Sequence, residues 1–110
     1  MGRWEDEFRN KLREPGEAAA LIPDGSFIVQ GLAVGEPPAM LEAVAEHAKS
    51  GGYTNITMTS LLPMTASART VLAPEVRDVI HWESFFASGA DRQLLADGDA
   101  TFNPAFFHQI

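Results

Sequence analysis

Two glycines and a proline pair carry the clearest chemical potential in this sequence. Gly31 and Gly35 bracket the apolar run Leu32-Ala33-Val34, and Pro37-Pro38 follows. The segment comes directly after the β-rich run at 26–30. Glycines at the carboxyl end of a strand let a ligand approach the backbone, and the helix that a first-turn proline opens offers unpaired N–H groups beside it. The same residues suit a structural turn, for which glycine is the default. The spacing is not GxGxxG and lacks the terminal GK[ST] of a phosphate loop, so it points to no nucleotide. At this level residues 31–38 read first as a structural turn and second as a ligand-facing loop.

Other reactive side chains are scattered. Glu36 stands in the loop and could serve as a nucleophile or base, but acidic residues are common near a helix start because they complement the dipole. His47, His81 and His108 are far apart, and none of them shows the i, i+4 spacing of a metal-binding helix face, so no metal site is expected. Arg92, beside Asp91 and after a capping Ser88, could grip a carboxylate or phosphate in a forked pair, or salt-bridge to a neighbouring loop. There is no paired carboxylate, Cys–His pair or GxSxG elbow with which the chain could run hydrolysis alone. No catalytic residue is assigned.

The elements that would position the loop follow from periodicity and punctuation. Trp4, Phe8 and Leu12 recur every four residues and predict an amphipathic docking helix ended by Pro15-Gly16, with a second short helix from Glu17 to Ile22. Strands are expected at 26–30 and 53–62, joined by a helix over 38–49 that carries Met40, Leu41, Val44, Ala45 and Ala48 and closes at Gly51-Gly52. Strand, glycine loop, helix and strand make a βαβ unit. Residues 64–73 read as a loop or loosely helical excursion, of the kind that often carries function. A third strand is expected at 76–82, a helix at 89–97 stopped by Gly98, and a short strand at 100–102 before the Asn103-Pro104 turn. The final stretch is apolar, and Phe106, Phe107 and Ile110 would need a cover.

Composition narrows the field. At 110 residues and 45% hydrophobic content, one small soluble domain is expected. The formal charge of −7 argues against nucleic acid, whose binding relies on clustered Lys and Arg. Without cysteine there is neither a disulfide framework nor a thiolate metal site. No apolar run has the length of a membrane span, and the charged N-terminal segment is unlike a signal peptide, so a cytoplasmic protein without membrane partners is expected.

Taken in order, Trp4 to Leu12, Glu17-Ala18, Ile22-Pro23-Asp24-Gly25, Gly31 with Pro37-Pro38 and Leu41, Leu62-Pro63, the run Phe85 to Arg92, Gly98-Asp99-Ala100 and Phe102 to Phe107 resemble the opening of acetyl-CoA hydrolase/transferase proteins. That family includes acetate, succinate and 4-hydroxybutyrate coenzyme A transferases. The resemblance implies an α/β fold with a largely parallel sheet, a partial three-layer sandwich of the coenzyme A transferase (NagB/RpiA-like) type. Residues 1–25 would be the helical docking segment and residues 26–110 the α/β unit of an amino-terminal domain.

The chemistry implied is covalent. A glutamate attacks an acyl-CoA thioester to give a mixed anhydride, CoA thiolate returns to the glutamyl carbonyl, and the enzyme thioester passes CoA to an acceptor acid, with backbone N–H groups stabilising the oxyanion. No stretch here matches the surroundings of that glutamate, which is expected outside this chain. Gly31, Gly35 and Pro37 match the family's first-domain loop facing the substrate cleft and are the substrate-binding residues carried over. The resemblance thus implies acyl-CoA and a small carboxylic acid as partners, CoA thioester as substrate with no covalently held cofactor, a carboxyl-terminal domain or partner subunit, and room for a homo-oligomer. Two other readings stand beside it: a non-catalytic binding module on a related α/β scaffold, and a structural fragment that self-associates through Phe106 and Phe107.

Overall fold

The computed structural model describes residues 2–109. Chain order runs α1 (Arg3–Lys11), α2 (Pro15–Ala20), β1 (Phe27–Val29), α3 (Pro38–Lys49), β2 (Ile56–Leu61), α4 (Thr65–Arg69), β3 (Ile80–Phe86), α5 (Arg92–Asp97) and β4 (Ala100–Phe102). The four strands form one sheet in the order β1-β2-β3-β4, and every neighbouring pair is parallel. The α/β class and the βαβ unit built from β1, α3 and β2 are therefore as expected.

α3 shows why the pattern was readable. Pro38 occupies its first turn, where a missing N–H costs nothing, and Leu41, Val44, Ala45 and Ala48 form its buried face. Those side chains meet Ile56, Met58, Ile80 and Trp82 from the sheet, with Val71, Leu72, Val76 and Leu94 completing one core cluster. Parallel pairing sets Ile28, Met58, Trp82 and Ala100 side by side on the covered face. The next row on the other face is Val29, Thr59, Glu83 and Thr101, of which only Thr59 is buried. Phe27 and His81, in the row before, are exposed too. The sheet is thus packed on one side and largely open on the other.

Several boundaries differ from expectation. Pro15 begins α2 at its N1 position instead of separating two helices, since α1 has already ended at the extended Leu12. The third strand starts at Ile80, not Val76: Pro74–Val76 is a 3₁₀ turn, and Val76 is buried as part of that turn. α5 starts at Arg92 with Asp91 as its N-cap, not at Gly89. Gly98 does stop it, in the left-handed conformation (φ 81°). The excursion at 64–73 contains the short α4. α1 forms, yet none of its residues is buried, and Trp4 is 74% exposed. Its docking face has no partner among the described residues. Phe106 and Phe107 are likewise exposed; Ile110 lies outside the described residues. No helix among the described residues is long and apolar enough to cross a membrane.

The turn before β1 is tied to the turn before β2. Asp24 accepts hydrogen bonds from the Thr54 hydroxyl and from the backbone N–H groups of Thr54 and Asn55, the latter two at 2.9 Å. These donors, the Thr54 hydroxyl first, lower its pKa from 3.8 to about 2. A carboxylate depressed in the folded state adds stability above its unfolded pKa and loses that contribution as pH falls through the folded value. The thermal midpoint of wild type should therefore exceed that of Asp24→Asn at neutral pH. The gap should close between about pH 4 and pH 2. A gap that is constant over that window would show that the carboxylate charge is not what joins the two turns.

Candidate functional site

Residues 30–37 connect β1 to α3 at the carboxyl edge of the sheet, where open α/β sheets bind ligands. The connection is tightly wound. Ala33–Gly35 makes a 3₁₀ turn in which the Gly35 N–H donates to Leu32 O at 2.8 Å and the Glu36 N–H to Ala33 O at 3.2 Å. Ala33 takes a left-handed φ of 45°, which costs energy for a residue with a Cβ. Gly31 lies so close to Gly35 that a Cβ on it would stand 2.3 Å from the Gly35 carbonyl oxygen. Gly35 has open space where a Cβ would be. Pro37 is the N-cap residue of α3, its carbonyl accepting from Leu41 N–H at 3.0 Å. Gly31, Gly35 and Pro37 thus share one loop, and all three are exposed.

Glu36 turns away from solvent and is 8% exposed. Its carboxylate accepts from the Met64 N–H, from the Ser67 N–H at 3.2 Å and from the Ser67 hydroxyl at 2.9 Å. It is not a first-turn acid complementing its own helix; it joins the glycine loop to the segment that holds α4. With both oxygens engaged by donors, it is poorly placed to act as a nucleophile. Gln30, just before Gly31, donates from Nε2 to Ser67 Oγ at 2.8 Å. The sequence signal for Gln30 is a polar residue two places after Ile28, in phase with the covered face; its partner lies 37 residues on. A groove of about 530 Å³ lined by Pro38, Glu42, Thr65, Ala66, Arg69 and Thr70 opens beside these contacts.

Two further loops meet at the same edge. After β2, Leu62 adopts φ 47° and its N–H donates to Phe86 O at 3.0 Å, next to the register shift at Ser60/Leu61. After β3, the Ser88 hydroxyl donates to Pro63 O. Asp91 is fully buried and accepts from Trp82 Nε1 at 3.1 Å and from the Ser88 N–H at 2.8 Å. Arg92 is exposed and, among the described residues, forms no ion pair, so the salt bridge considered for it is not present there. The histidines fall in three unrelated places. His47 packs edge-on against Tyr53, His81 Nε2 lies 3.1 Å from Thr101 Oγ1, and His108 stacks on Phe106.

Known proteins resemble this arrangement over nearly its full extent. The profile of the acetyl-CoA hydrolase/transferase N-terminal domain matches residues 2–110. The chain is similar to succinyl-CoA:cyclohexane-1-carboxylate CoA transferase of Geobacter metallireducens, with 31% identity over 97% of this chain and 23% of that protein. It is 25% identical to 4-hydroxybutyrate coenzyme A transferase of Clostridium kluyveri, over 97% of this chain and 24% of that one. Among solved structures, RipA from Yersinia pestis superposes with a TM-score of 0.87 at 27% identity, over 98% of this chain and 27% of RipA. A mutant RipA gives 0.91, again at 27% identity, over 98% of this chain and 26% of RipA. The chain spans about a quarter of the length of these relatives.

Proposed function

This chain belongs to the acetyl-CoA hydrolase/transferase family, matching its N-terminal domain, and on that premise we propose that it forms one wall of the cleft in which an acyl-CoA:carboxylate coenzyme A transferase or acetyl-CoA hydrolase holds CoA thioester and carboxylic acid. The observation that carries this reading is the loop of Gly31, Gly35 and Pro37. It presents exposed backbone at the carboxyl edge of an all-parallel sheet, the side on which such sheets bind ligands. Gly35 in particular leaves room for a ligand to reach the main chain.

In this reading the chain is inactive by itself. Both Glu36 oxygens are held by internal donors, and Glu83 Oε2 accepts from Asn103 Nδ2 at 2.9 Å. The nucleophilic glutamate is supplied by polypeptide outside this sequence, in a carboxyl-terminal domain or partner subunit. The open face of the sheet supports the same view, because all-parallel sheets are almost always covered on both faces. The contribution of this chain is to bind and orient: the loop backbone lies against the acyl-CoA, and its exposed Leu32 and Val34 offer apolar contact. A cytoplasmic setting goes with this reading.

The test is acyl exchange between acetyl-CoA and labelled acetate. The isolated chain is expected to give none, and the protein made from its complete gene is expected to exchange. Robust exchange by the chain alone would refute its inactivity. Failure of the complete protein to transfer or hydrolyse any short-chain acyl-CoA would refute the reading as a whole.

A further inference from the structure

The glycine loop has little apolar packing to hold its shape: Leu32 is exposed and Val34 is 92% exposed. It nevertheless keeps an alanine in the left-handed region and brings Gly31 against Gly35. Strained backbone of this kind persists only where surrounding contacts over-determine it. Those contacts converge on one side chain. Gln30, at the entry of the loop, donates to Ser67 Oγ, and the Ser67 hydroxyl donates to Glu36, at the exit. The direction is fixed, since an ionised carboxylate only accepts and the amide nitrogen only donates. Ser67 is fully buried, and its own N–H adds a second bond to Glu36. Both ends of the loop are therefore fastened to a single serine on α4, at the rim of the groove lined by Thr65, Ala66 and Arg69.

We propose that Glu36 is a positioning residue, which through Ser67 and Gln30 clamps the 31–35 backbone in the shape that receives acyl-CoA. The proposal rests on the reading of that loop given above. A buried carboxylate must be compensated, so the Glu36 contacts are of the charge-assisted kind and the clamp has a strong and a weak link. Glu36 to Ser67 is the strong one, and Gln30 to Ser67 the weak one.

The experiment uses the protein made from its complete gene, as wild type, Glu36→Gln, Ser67→Ala and Gln30→Met, with hydrogen exchange and steady-state kinetics on acetyl-CoA. In Glu36→Gln and Ser67→Ala, exchange at the Gly35 and Glu36 amides should rise about tenfold or more, with β2 and β3 amides unchanged. KM for acetyl-CoA should rise by more than kcat falls. Gln30→Met, which removes only the weak link and disturbs the fold least, should shift the same amides by less. Wild-type exchange and KM in all three variants would overturn the proposal. So would an equal rise across β2 and β3, which would make Glu36 a residue of general stability. If the wild-type protein turned over no acyl-CoA, the functional reading would fall, while the Gly35 and Glu36 amides would still decide whether the clamp holds the loop.

Discussion

Gly31→Ala should lower acyl transfer by the complete protein by about a hundredfold or more, the penalty typical of reacting groups misplaced by about an ångström. The added methyl group would stand 2.3 Å from the Gly35 carbonyl oxygen and 2.9 Å from its carbon. Both are backbone atoms, so no side chain can rotate away, and the 3₁₀ turn with its strained Ala33 must move. Overpacking of this kind costs about 3 kcal/mol at the upper end of its usual range, so the melting temperature should fall as well. Gly35→Ala separates the two roles of the loop. Its methyl group meets no protein atom, and its φ is not in the left-handed region, so stability should be unchanged. The methyl group would instead occupy the space into which a ligand is proposed to reach, and acetyl-CoA affinity should drop. Calorimetric titration and thermal melts on the two variants decide the matter: wild-type affinity in Gly35→Ala would mean that the loop does not face the ligand.

A large loss of stability should come from Asp91→Ala. The carboxylate joins the indole N–H of Trp82, on the central strand β3, to the backbone of Ser88, just ahead of α5. Removing it strands a buried indole N–H without a partner. An unsatisfied buried donor, together with two lost charge-assisted bonds, amounts to about 3 kcal/mol. That is a large part of the 5–15 kcal/mol typical of whole domains. Urea unfolding of Asp91→Ala, Trp82→Phe and the double variant would isolate the pair, with an expected coupling of about 1–2 kcal/mol. A loss below about 0.5 kcal/mol in Asp91→Ala would show that water replaces the carboxylate, contradicting its burial.

What could be read from the sequence divides along the same line as these two sites. α3 was legible to the residue because its apolar positions recur every three or four residues and proline and glycine mark its ends. Gly98 was legible because a left-handed stop favours glycine. The third strand was displaced because Val76, Val79 and Ile80 look like one apolar run, although the first belongs to a proline-led turn packed against α3. The loop itself was found, but not the difference between its glycines: a close approach to Gly35 marks Gly31, and no local pattern encodes that. Glu36 looks like an ordinary helix-start acid in the sequence because its donors lie 28 and 31 residues away. Ser88 looks like the capping residue of the last helix, whereas Asp91 holds the N-cap position, and no spacing rule suggests Trp82 as the partner of its buried carboxylate.

The strand order carries a consequence for how the molecule is made. Each strand pairs with its predecessor in the chain: Phe27 meets Thr57, Ile56 meets Ile80, and Trp82 meets Ala100, over progressively shorter separations. A polypeptide leaving the ribosome can therefore add strands one at a time, and none waits for a distant partner still to be translated. The costliest loop closure comes first, when β2 reaches back to β1, and later additions become easier. Folding during synthesis would thus advance along the growing chain, with each new strand docking on the edge its predecessor has just formed.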